Sequence, residues 1–273
     1  MRSAFPSAMV NGLLIALTVI SLFPLLWMVS VSFMPAGAAS SLPPPLLPDT
    51  PTLANYRELF GRAGMLRYLL NSVLLASAVT ASSLLLNTMA GYAFAKLDFK
   101  GRQQAFKALI GALIIPGQVA MMPLFLLLKH MGLVNTYGGV IVPAMAGIFG
   151  IFLVRQYALT IPDELLEAAR MDWAGEFRIF ASVIVPLLAP ILASLAIFTF
   201  LGTWNDFMWP LIVLTDDKLH TLPVALASLS REHVQDNELM MAGSVVTVLP
   251  VLVLFLALQK HYIQGLLVGS VKG

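Results

Sequence analysis

Long apolar runs separated by short charged stretches set the pattern of this chain. Six runs are long enough to cross a bilayer as helix, which takes roughly 17 to 25 residues each. They are Val10 to Met34, Tyr68 to Ala95, Phe106 to Leu128, Gly138 to Val154, Leu187 to Leu214 and Ala242 to Leu258. The predicted fold is therefore all-α, a polytopic membrane protein with six transmembrane helices. The fourth run contains Gly138, Gly139, Pro143, Gly147 and Gly150, which predicts a kinked or partly broken helix. The first run has the flanks of a secretory signal, with Arg2 before it and small residues after it. Its apolar stretch exceeds the 7 to 15 residues or so of a signal core, so it is read as an uncleaved span.

Composition supports lipid as the solvent. Apolar residues make up 59% of the 273 residues and charged ones 11%, where a soluble domain carries about a quarter charged. A net charge of +2 gives no nucleic-acid footprint, so no nucleic-acid partner is expected. The absence of cysteine removes disulfides, thiolate metal sites and thiol catalysis. Loop charges set the orientation, because Lys and Arg near span ends stay on the cytoplasmic side. With the N-terminus inside, ten lie inside: Arg2, Lys96, Lys100, Arg102, Lys107, Arg155, Arg170, Arg178, Lys260 and Lys272. Six lie outside: Arg57, Arg62, Arg67, Lys129, Lys218 and Arg231. Both termini are predicted cytoplasmic. The outer loop from Pro35 to Arg67 carries Pro43, Pro44, Pro45, Pro48 and Pro51 and reads as extended chain, a spacer over the membrane. The outer loop from Thr215 to Asn237 is polar and large enough to meet a partner.

The inner loop between the fourth and fifth runs, residues 155–186, has the most specific pattern. Thr160 is placed to cap a helix, Pro162 suits its first turn, and Asp163 and Glu164 complement the positive end of its dipole. Leu165, Leu166 and Ala169 share one face, and Glu167 and Arg170 are spaced to pair. This predicts a short amphipathic helix outside the membrane, with Ala168 and Ala169 leaving a shallow surface for close approach.

The segment Glu167-Ala168-Ala169, followed by Asp172 and closed by apolar residues and Pro186, resembles the EAA coupling loop of ABC importer permeases. Asn71-Ser72, Gly91-Tyr92-Ala93, Pro116-Gly117, the stretch Gly132 to Tyr137, Trp204-Asn205-Asp206 and the tail Gly269 to Gly273 are similar to the second permease of maltose-type carbohydrate importers. The resemblance implies a type I ABC importer permease architecture, one permease domain over residues 1–273, and a place in the bacterial inner membrane. It implies that Glu167, Ala168, Ala169, Asp172, Trp173, Gly175 and Pro186 couple the chain to an ATPase, and that Val271, Lys272 and Gly273 reach that ATPase. The implied partners are a second permease subunit, a dimeric ATP-binding subunit that holds ATP and Mg, a periplasmic solute-binding protein, and membrane lipid. No cofactor of the chain's own is implied. One position departs from the family pattern: Trp173 stands where Gly is usual. A Trp takes a left-handed backbone at a cost that Gly avoids, so the turn is expected to move to Gly175.

Trp204, Asn205 and Asp206 are candidates for a substrate path, since an ionisable group in an apolar run defaults to a functional reading and Trp and Asn suit sugars. The bland alternative is a carboxylate at the outer headgroups. His130, His220, His233 and His261 lack metal-ligand spacing, and the 14 methionines form no repeated cluster. There is no Gly-x-x-x-x-Gly-Lys-Ser/Thr stretch, so any ATP hydrolysis belongs to another subunit and the chain is not expected to be an enzyme. An ion-coupled secondary transporter and an importer permease for a non-sugar solute are the competing functions. An intramembrane enzyme is disfavoured, because no Gly-x-Ser-x-Gly elbow, metal-spaced His pair or carboxylate dyad is present.

Overall fold

The structure, a computed structural model, describes residues 7–61, 64–232 and 236–268. The chain divides into two compact units, Met1–Arg67 with Leu222–Leu252, and Tyr68–Thr221 with Val253–Gly273.

In the first unit, α1 (Ser7–Ser32) is a long apolar helix whose residues from Met9 to Leu26 are all exposed, a surface suited to lipid or to a partner span. Its outer end ties down the proline-rich loop. Trp27 Nε1 donates to the Pro45 carbonyl at 3.3 Å and Ser30 Oγ to that of Leu46 at 2.6 Å. The spacer reading needs correcting, because the same loop contains a helix, α2 (Ala54–Gly61), with Leu59 fully buried. Asn55 anchors it by donating to the Ser32 and Met34 carbonyls, 2.9 Å each, which satisfies the carbonyls left open at the end of α1. The other outer loop also differs from its polar reading. It holds α12 (Leu222–Glu232), whose Leu222 and Val224 are fully buried.

The second unit takes most of α3 (Met65–Lys96) and carries the functional geometry. The third apolar run is not a straight span. It splits into Arg102–Ile114, which begins with α4 (Arg102–Gly111), and α5 (Gly117–His130), bent by 107°. Pro116 explains the break: it lacks an N–H, and it drives Ile115 to an extended ψ of 117°. Taken together, the bent pair is long and apolar enough to count as one span. At its inner end the Arg155 guanidinium lies 4.0 Å over the Phe106 ring, and at its outer end Leu128 packs with Val213.

The fourth run is broken as expected, into α6 (Tyr137–Ala144) and α7 (Ile148–Ala158). The buried amide of Asn87 repairs the gap by accepting the Gly147 N–H at 3.0 Å and donating to Ser83 Oγ at 2.7 Å. Gly91 of α3 lies against α7 so closely that an added Cβ would stand 2.6 Å from Val154 Cγ1, the small-residue packing typical of helices in lipid.

The fifth run needs two corrections. Its helix starts much earlier, as a rod over Glu176–Trp204, and it stops at Trp204 rather than Leu214. The rod comprises α9 (Glu176–Ile179), a wider π turn over Phe180–Ile184, and α10 (Val185–Trp204). Pro186 and Pro190 withhold N–H donors just beyond that π turn, where the ladder widens. A separate helix, α11 (Met208–Val213), follows Asn205–Phe207. The last run belongs to α13 (Asn237–Val268), of which the stretch Asn237–Leu256 suffices in length and hydropathy to span. Counting the bent pair once, six helical stretches among the described residues are long and apolar enough to cross a membrane.

Candidate functional site

The inner loop is built on α8 (Asp163–Met171). Pro162 precedes its first turn, and Thr160 does not cap it. The Thr160 hydroxyl donates instead to the Tyr157 carbonyl at 2.7 Å. Leu166 is buried in an apolar cluster with Tyr92, Ala95, Val154, Ile161 and Ile179, and Ala169 packs against it. Leu165 departs from the shared face and is 44% exposed, while Glu167 and Ala168 are also exposed.

The end of α8 holds the clearest departure from expectation. Trp173 adopts the left-handed conformation itself, at φ 57°, and Gly175 is extended at φ −67°. The turn therefore does not move to Gly175. The Trp173 N–H donates to the Arg170 carbonyl at 3.0 Å and the Ala174 N–H to that of Ala169 at 3.1 Å, the bond pair of a Schellman ending. Asp172 is the exposed C-cap, and the Trp173 side chain is 96% exposed. Met171 and Phe177 are each 81% exposed beside it.

Arg170 pairs with Glu176 rather than Glu167, Nε to Oε1 at 2.9 Å, and this hydrogen bond raises the guanidinium above its ordinary value, so Arg170 stays cationic. The other Glu176 oxygen accepts the Tyr92 phenol at 3.2 Å. Lys96 closes the opposite end of the loop, its Nζ donating to the Ile161 carbonyl and to Asp163 Oδ1, 2.6 Å each. Pro186 lies ten residues into the rod by sequence, so the last third of the 155–186 loop is the inner start of a span.

A cavity of about 310 Å³ lies where α5, α6 and the end of α10 meet. Gln118, Thr203, Asp206 and Trp209 supply its polar groups, and Met121 and Val140 are among its apolar walls. Asp206 Oδ1 accepts the Trp209 N–H at 3.3 Å, which starts α11, and the Trp209 indole donates to the Gly139 carbonyl at 3.1 Å. A second cavity of about 240 Å³ shares Ala144 and Thr203 with the first and is bordered by Ser83, Asn87, Phe149 and Thr199. One face of α10, formed by Leu195, Phe198, Thr199, Gly202 and Thr203, lines the second cavity in steps of three and four residues. That face runs about 12 Å along the helix axis at 1.5 Å per residue.

Of the three residues expected on a substrate path, Asp206 alone borders these cavities. Trp204 is buried and stacks on Phe200, centroids 5.7 Å apart, and Asn205 is exposed with its amide donating to the Leu201 carbonyl. The cavity's indole is that of Trp209, which sequence reasoning passed over. Val271, Lys272 and Gly273 lie outside the described residues.

Comparison with known proteins now decides the family. The family model described as "Binding-protein-dependent transport system inner membrane component" matches residues 87–268. The chain belongs to this family. The permease is 41% identical over 257 residues to the arabinooligosaccharides transport system permease protein AraQ of Halalkalibacterium halodurans, covering 93% of this chain and 92% of that one. It is 31% identical over 277 residues to the lactose transport system permease protein LacG of Rhizobium radiobacter, covering 100% and 98%. Among solved structures it shares the fold of a chain from a bacterial ABC transporter involved in the import of the acidic polysaccharide alginate, with a TM-score of 0.85, 23% identity, and 96% and 98% coverage. The permease is thus an inner-membrane transport component with the expected importer fold.

Proposed function

We propose that this permease forms one half of an import pathway for a neutral saccharide, powered by ATP hydrolysis in a separate subunit. The observation that carries the solute class is the lining of the two linked cavities. It offers hydroxyl, amide and indole groups with one carboxylate, Asp206, and contains no Lys or Arg. A polyol finds hydrogen-bond partners and an aromatic edge there. A polyuronate would meet Asp206 without a compensating cation, an unfavourable burial of like charge. The names of the AraQ and LacG relatives, for arabinooligosaccharides and lactose, support the same class.

For energy coupling, α8 presents Glu167 and Ala168 to the cytoplasm, with Met171, Trp173 and Phe177 as an apolar patch beside them. Large exposed apolar groups next to an acidic helix are what a partner surface buries. In this reading an ATP-binding dimer seats on that face, a second permease completes the pore, and a solute-binding protein loads it from outside. ATP and Mg are held by the dimer and not by this chain.

The test is competition for uptake in cells carrying the complete system. Neutral oligosaccharides should compete with a labelled neutral saccharide, and uronic-acid oligomers of equal length should not. Preferential competition by the uronic acids would overturn the assignment.

A further inference from the structure

Both ends of the α8 loop are fastened to one helix. On the entry side, Lys96, the last residue of α3, has a side chain only 6% exposed and donates to the Ile161 carbonyl and to Asp163, 2.6 Å each. On the exit side, Tyr92 is one turn earlier on the same face of α3 and donates to Glu176 at 3.2 Å. Glu176 also holds Arg170, the basic residue of the last turn of α8, at 2.9 Å. Lys96 and Tyr92 thus grip the loop before and after α8, and the buried Leu166 and Ala95 fill the space between.

The far end of α3 is fastened in a similar way. The Asn71 amide donates to the Lys218 and His220 carbonyls, 2.9 Å each, and accepts the Tyr137 hydroxyl at 2.7 Å. Asn71 and Tyr92 are separated by about 32 Å of helix at 1.5 Å per residue, the thickness of a bilayer core. All of these bonds lie in the second compact unit.

We infer that α3 is the strut of this permease, with Tyr92 and Lys96 as positioning residues that make force applied to α8 move α3, and through Asn71 the outer segment 218–220, instead of bending the loop. The inference rests on the reading of α8 as the ATPase seat. Two attachment points one turn apart resist both translation and rotation of α8 against α3, which a single contact could not do. Neither residue is on the exposed face of α8, so docking itself does not require them.

The test uses the complete complex purified from native membranes and reconstituted into liposomes, with ATP hydrolysis and uptake of a labelled neutral saccharide measured together. Tyr92→Phe keeps the ring that packs on Phe180, 5.5 Å between centroids, and removes only the hydroxyl. Lys96→Met keeps the apolar stem. Each should leave the ATPase bound and hydrolysis within about twofold, while solute moved per ATP falls fivefold or more. Lys96→Arg, which keeps the donors, should hold the ratio near that of the parent. An unchanged ratio in both Tyr92→Phe and Lys96→Met would overturn the inference, and so would loss of the ATPase from both, which would mean a purely structural role. Failure of the underlying reading is seen separately: Glu167→Lys would then leave the ATPase bound and uptake normal.

Discussion

The Ala174 N–H reaches the Ala169 carbonyl at 3.1 Å because Trp173, between them, turns left-handed at φ 57°. A Schellman ending needs that conformation at this position, and the need outweighs the cost of placing a Trp in it. The two bonds it closes satisfy carbonyls at the end of α8 and return the chain directly to Glu176, the start of the fifth span.

Trp173→Gly should therefore stabilise the loop. The ring is 96% exposed, so its removal forfeits little packing within the chain, while relief of the left-handed strain is worth about 1 kcal/mol. Hydrogen exchange at the residue 173 and Ala174 amides should slow by about fivefold, the factor equivalent to that energy, provided they exchange by local opening. Faster exchange would mean that the Trp ring stabilises the turn.

Gly91→Ala should loosen α3 from α7. The new methyl would lie 2.6 Å from Val154 Cγ1 and 3.0 Å from the Arg155 backbone nitrogen, too close for either to stay in place. Overpacking of this kind costs about 1 to 3 kcal/mol. Thermal unfolding of the detergent-solubilised protein should show a lower midpoint, and adding Val154→Ala should not restore it, because the Val154 Cβ that Ala keeps would itself lie 2.7 Å from the new methyl.

Asn87→Ala should weaken the repaired break in the fourth span. It strips the Gly147 N–H of its acceptor in a buried setting, a loss of about 1 to 3 kcal/mol. Cysteine labelling at Ala146 in membranes should become faster in this background, whereas an unchanged rate would mean that another group takes over the Gly147 N–H.

Asp206→Asn keeps an acceptor for the Trp209 N–H and removes only the charge. Losing a charged hydrogen-bond partner for a sugar hydroxyl should raise the half-saturating solute concentration about tenfold or more, at unchanged protein level. Asp206→Ala should also lower the amount of folded protein, because the start of α11 loses its cap.

Hydropathy made the spans legible because lipid demands about 20 apolar residues whatever the packing. It misplaced breaks that fall inside apolar stretches. Leu187 to Leu214 is apolar almost throughout, and the helix ends at Trp204 with Asp206 turning to cap the next one. The third run reads as one plain span although Pro116-Gly117 lies inside it, and the 107° bend there depends on packing that a one-dimensional pattern lacks. In the loop, the dipole residues and the buried Leu166 were readable from local rules, whereas the partner of Arg170 was not. Glu167 has helical spacing to Arg170, yet Glu176, brought back by the Trp173 turn, is the partner in the fold. Tyr92 could have been flagged, since a Tyr four residues before a Lys at the inner end of a span places two polar tips on one face. Trp209 was missed beside the more conspicuous Trp204-Asn205-Asp206; both indoles are buried, and only the three-dimensional packing puts Trp209 on the cavity wall.

The most direct test of the account is uptake into liposomes containing the complex purified from native membranes, with its solute-binding protein and labelled neutral saccharide outside. The account predicts uptake only when the ATP-binding subunit can reach ATP, and its loss in Glu167→Lys at normal levels of inserted protein. Uptake that persists without ATP and collapses with a proton or sodium ionophore would contradict it.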